Sequence, residues 1–175
     1  MADQAREGSS TTTGGVPGQP ITVHPAPAVA HVGPLGFRNF ALQFLQAARV
    51  VSETAAPFSP VAYYLLCHSV ELSLKAFLLI QHVPLEELKR RQLGHNLQAL
   101  LTRAQTLGLT TVVPLSAEQS EAIAQATHYY TGKVFEYFEL TEAFAGYKKK
   151  PSFEHLQSAA TSLVQQLEKP CLAAI

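Results

Sequence analysis

Residues 60–82 read PVAYYLLCHSVELSLKAFLLIQH, and residues 94–97 downstream read Gly-His-Asn-Leu. The first stretch is a long apolar helix interrupted by three polar residues, His68, Glu71 and Lys75. At helical periodicity these fall within an arc of about 60°, so they share one face. Tyr64 and His82 fall on the same stripe. Unpaired buried charge is costly, so a polar seam on an apolar helix requires partners from neighbouring elements. The imidazole of His95, at the entry to the next long helix, is placed to reach Glu71, and Lys75 forms an i,i+4 pair with it.

Of the 175 residues, 47% are hydrophobic and 15% charged, which suits one domain with a sizeable core plus appendages. Thirteen basic residues balance thirteen acidic ones. A neutral chain has no global attraction for nucleic acid or acidic membranes, so any such binding needs a local patch. The two cysteines, Cys67 and Cys171, make neither a disulfide framework nor a zinc site and read as free thiols. There is no secretory pattern at the N-terminus, and the apolar runs are broken below spanning length. The expectation is a soluble cytoplasmic protein with no membrane association.

Residues 1–34 are rich in Gly, Pro, Ser, Thr and Ala without periodicity, and read as a disordered tail before a bundle over 35–170. The first helix is expected over 37–54, where Phe37, Phe40, Ala41, Phe44, Leu45, Ala48 and Val51 recur at three- and four-residue spacing. Ser59-Pro60 caps the central helix. A short helical segment follows Pro84, and a third helix runs from about Asn96 to Leu107, stopped by Gly108. Residues 110–114 read as an extended connection. Ser116 and Gln119 form a capping box for a helix that reaches Tyr130 and ends at Gly132. Residues 133–147 fit either an extended arm or a resumed helix. The last helix spans 153–167. No strand pattern is sustained, so the fold class is all-α, an antiparallel up-and-down bundle of four to five helices.

The segments LLCHSVELSLKAFLL, GHNLQALL and YYTGKVFEYF (residues 65–79, 94–101 and 129–138) together resemble the HEPN domain superfamily. The resemblance covers roughly residues 37–168 and rests on about ten positions. It implies a helical bundle that forms a homodimer, in a prokaryotic toxin–antitoxin or defence context. Its protein partner would be a nucleotidyltransferase or an antitoxin. Some members of the superfamily are metal-independent ribonucleases that use an Arg, four to six residues, then a His, paired across a dimer. Others bind nucleotide, RNA or protein without cleaving.

Arg90 and His95 have the spacing of that pair, with His as general acid or base and Arg as charge stabiliser. Against it, the motif spans a Gly break before a helix, and His95 has a plainer role as partner of Glu71. The ligand-binding candidates are Tyr64, His68, Glu71, Lys75, Asn96, Lys133 and Tyr137. Tyr129, Tyr130, Lys133, Tyr137 and Tyr147 precede the basic run Lys148–Lys150, and aromatic and basic residues together can hold bases and phosphates; a solvated face is the plainer reading. His68 and Glu71 are three apart, but no second Glu-x-x-His accompanies them and Lys75 is adjacent, so no metal and no cofactor is expected. The leading function is a module binding a nucleotide, RNA or a protein partner. A metal-independent endoribonuclease and a purely structural oligomerisation domain are the alternatives.

Overall fold

In a computed structural model, residues 33–54, 58–90, 92–136 and 150–174 are described, and every regular element among them is helical. The elements are α1 (Pro34–Thr54), α2 (Pro60–Ile80), α3 (Leu85–Leu88), α4 (Leu97–Thr106), α5 (Leu109–Val112), α6 (Ala117–Thr131), α7 (Phe153–Gln166) and α8 (Glu168–Ala173). The all-α class therefore holds. Residues 1–32 and 137–149, which include all but the last two residues of the proposed tail, Tyr137, Tyr147 and most of the ambiguous arm, lie outside the described residues.

The helices start where their caps dictate. The Ser59 hydroxyl accepts from the Ala62 amide, with Pro60 at the first helical position. Asn96 accepts from Ala99 at the head of α4. Ser116 and Gln119 complete a reciprocal capping box on α6, and Ser152 caps α7. α2 is the central helix: it packs against α1, α4, α6, α7 and α8. Leu66, Cys67, Val70, Leu74, Ala76, Phe77 and Leu78 are all fully or almost fully buried on it. Both thiols are free and buried.

Four expectations about boundaries need correction. α1 begins at Pro34 instead of Phe37, because proline suits a first turn whose amides are unpaired anyway. α2 stops at Ile80, and His82 turns into the left-handed region (φ 60), so it leaves the stripe of His68 and Glu71. Residues 110–112 are helical, not extended: left-handed Gly108 (φ 92) starts a new turn that buries Leu109 and Val113. Helical structure also continues past 170 into α8, because Pro170 sits in its first turn, where its missing N–H is not needed.

By length and composition α2 is apolar enough to cross a membrane, contrary to the expectation that no run is long enough; its 18-residue window has a mean hydropathy of 1.3 and is 67% buried inside the fold. The interruptions by His68, Glu71 and Lys75 lower the hydropathy without bringing it under that limit.

Candidate functional site

Glu71 lies at the middle of α2 and is 2% exposed. Its two carboxylate oxygens collect donors from three elements. Oε1 accepts from Lys75 Nζ, one turn along α2, at 2.5 Å. Oε2 accepts from the Tyr130 hydroxyl on α6 at 2.5 Å and faces His95 Nδ1, just ahead of α4, at 3.0 Å. His68 Nδ1 lies 3.7 Å from Oε2, beyond a good hydrogen bond, but only 2.7 Å from the Tyr130 oxygen.

These distances fix where the protons are. An ionised carboxylate only accepts, so the single Tyr130 proton points at Glu71 and His95 Nδ1 must carry a hydrogen. The Tyr130 oxygen, its proton committed, then accepts from His68 Nδ1–H. Both imidazoles are therefore turned with Nδ1 inward. Burial alone would raise the Glu71 carboxyl, but His68, Lys75 and Tyr130 more than offset it and hold it at about 2. The Tyr130 hydroxyl is pushed far up by burial and by the adjacent Glu71 charge. Tyr64 is raised as well, by burial first and then by the Glu136 and Glu71 charges.

Rings surround this junction. His68 meets Phe44 edge-on at 4.3 Å between centroids and lies parallel to Tyr64 at 6.0 Å. His95 meets Tyr130 edge-on at 5.7 Å. The His95 side chain is 65% exposed, so with Nδ1 held inward, Nε2 is on the accessible side of the ring.

The turn before α4 places Arg90 and His95. Gly94 N–H donates to the Arg90 carbonyl at 2.7 Å, and Leu93 N–H donates to the same oxygen at 3.0 Å. The break at Gly94 is thus a closed turn. A Cβ on Gly94 would stand 3.3 Å from the Arg90 oxygen, so the close approach favours glycine here. Arg90 is exposed and, with Glu87, Gln92, Leu93, Ala99 and Arg103, lines a recess of about 250 Å³.

The structure brings Tyr64, His68, Glu71, Lys75 and His95 into one cluster. It uses the Asn96 side chain as the α4 cap. It sets Lys133 at the end of α6 in a left-handed conformation, with Nζ 3.6 Å from Glu136. Tyr129 and Tyr130 are both buried, which removes them from any exposed base-stacking surface. Tyr130 instead completes the Glu71 junction, a role not assigned to it from sequence. The signal was its phase: it falls one helical step beyond Ile123 and Ala126, on the inward face of α6, where a phenol needs a partner. Arg38 is a second buried polar centre that was not anticipated. Its guanidinium donates to the Val164 carbonyl and to Glu168, both at 3.0 Å.

Among the described residues no group of three or more His, Cys, Asp or Glu is placed to hold a metal ion. Comparison with protein-family models, with curated proteins and with solved structures finds no match.

Proposed function

We propose that the chain is a HEPN-like module, a four- to five-helix antiparallel bundle that pairs with a second copy and binds a nucleotide or RNA at the turn between α3 and α4. The observation that carries this reading is the His95 ring: its Nδ1 is fixed by the buried Glu71 carboxylate while the rest of the imidazole faces solvent. A ring oriented in this way is a stiff polar contact, because its rotation is already restricted. Arg90 and Arg103 border the neighbouring recess and supply cationic groups that suit a phosphate. Arg103 is only loosely paired, at 4.0 Å from Glu87. Val50, exposed on α1, belongs to the apolar surface that a second copy would cover.

Fluorescence anisotropy with a short single-stranded RNA in EDTA tests the reading. Binding should weaken steeply between about 50 and about 200 mM salt, as expected when phosphates displace counterions. Arg90→Ala should weaken it further and flatten the salt dependence. Salt-independent binding, or none, would count against a phosphate site here.

The carboxylate-held imidazole also favours a second reading, the metal-independent ribonuclease. Glu71 would orient His95 so that Nε2 takes the proton from a ribose 2′-hydroxyl as it attacks the adjacent phosphorus; the P–O5′ bond breaks, the leaving oxygen takes its proton from the His95 of a second copy, and Arg90 stands beside the phosphate. The same EDTA reaction run on a gel separates the two. Cleavage lost in His95→Ala, with the fold intact by circular dichroism, supports catalysis, and intact RNA that remains bound supports the binding module.

A further inference from the structure

On another face of the molecule, where α1, α2 and α3 meet, lies a cleft of about 410 Å³. Its walls are Phe37 and Phe40 from α1, Leu72 from α2, and Leu85 and Leu88 from α3. The remaining lining residues are two lysines, Lys75 and Lys89, and no acidic side chain lines it among the described residues. The volume falls in the range of small-molecule sites, which are mostly apolar with a few polar groups that fix orientation.

The lysines differ in their surroundings. The Lys75 side chain is only 10% exposed. An ammonium has three N–H donors, and among the described residues Glu71 Oε1 is the one hydrogen-bond acceptor Lys75 has. A buried ammonium with two further donors gains from a second acceptor, and a charged one gains most. Lys89 lies at the rim, bonded at 3.0 Å to Glu86, with both side chains largely exposed. Such a surface pair is weak and is readily exchanged for another anion.

We infer that this cleft binds a small amphipathic carboxylate, its apolar body against Phe37, Phe40, Leu72, Leu85 and Leu88 and its anionic head on Lys75 and Lys89. Apolar walls account for affinity to a hydrocarbon body. Each lysine already faces one carboxylate, Glu71 or Glu86, but neither carboxylate lines the cleft, so the polar groups that a bound head meets there are ammonium donors, which favour an anion over an amine. The site does not depend on the nucleic-acid reading of the α3–α4 turn.

Titration of the full chain with octanoate, octanol and octylammonium, followed by the methyl resonances of Leu72, Leu85 and Leu88, tests the inference. Octanoate should shift these methyls saturably. Octanol should bind about tenfold more weakly, having lost a charge-assisted contact, and octylammonium more weakly still. Phe40→Glu, at a side chain already 52% exposed, should leave the fold unchanged and reduce octanoate affinity by about tenfold or more, by placing like charge on the lip. Lys89→Gln should weaken octanoate by about threefold and leave octanol unaffected; it decides the matter if Phe40→Glu fails to fold. Equal binding of the three head groups would overturn the inference, as would unmoved methyls. So would octanoate affinity that neither substitution changes.

Discussion

A carboxylate as buried as that of Glu71 stays ionised only where donors replace the water it has lost. Lys75, Tyr130 and His95 are those donors; because His68, Lys75 and Tyr130 hold the carboxyl below its ordinary value, the consequence is a pH dependence of definite sign. The folded-state value, about 2, lies below the ordinary 4.5. The stability Glu71 contributes is therefore present above 4.5 and is lost as pH falls from there toward 2. The span corresponds to roughly 3 kcal/mol. Urea unfolding at stepped pH should show this acid-sensitive component in the native chain and not in Glu71→Gln; parallel pH profiles for the two would contradict it. Part of this junction was legible in the sequence, because Glu71 and Lys75 are one helical turn apart and His95 follows soon after in the chain. Tyr130 was not, because it arrives from α6, 59 residues away, and only the packing of α6 on α2 brings it there.

At the scale of elements, the beginnings of the helices were easier to read than their ends. Ser59, Asn96, Ser116 and Ser152 announce their caps through side-chain chemistry that operates within three residues. The C-termini of α2 and α6 depend instead on a backbone turn that sequence marks only when glycine occupies it. Both close the same way. Val83 N–H reaches the Leu78 carbonyl across left-handed His82, and Val134 N–H reaches Tyr129 across left-handed Lys133 (φ 59). Gly132, which reads as the stop of α6, is in a helical conformation (φ −76). A Cβ there would stand 3.0 Å from the His128 carbonyl, so close approach accounts for the glycine, and the strained position passes to Lys133. His82→Gly and Lys133→Gly should each stabilise the fold by about 0.5–1 kcal/mol by relieving the left-handed penalty. Thermal unfolding checks this: a raised Tm for both variants is expected, and a lowered one would contradict the turn geometry.

Across the described residues, polar ties cross the apolar core, and three of them join an early helix to elements much later in the chain. Arg38 fastens α1 to α7 and α8 through Val164 and Glu168. Tyr63 fastens α2 to the segment ahead of α7 through the Pro151 carbonyl, at 3.0 Å. Glu71 fastens α2 to α6 and to the turn ahead of α4. The all-α class was legible because apolar spacing of three and four dominates the chain outside its first 33 residues. The ties were less so, since each joins residues that only the assembled bundle brings together. Arg38 in particular occupies an inward position of α1 that spacing alone assigns to an apolar side chain. The Glu71 tie is the one on which the orientation of His95, and hence the proposed site, depends. Histidine nitrogen NMR of uniformly labelled protein, at a pH where the rings are neutral, tests it most directly. The hydrogen should reside on Nδ1 in both His68 and His95, and the His95 preference should weaken in Glu71→Gln. Hydrogen on Nε2 of His95 in the native chain would contradict the account.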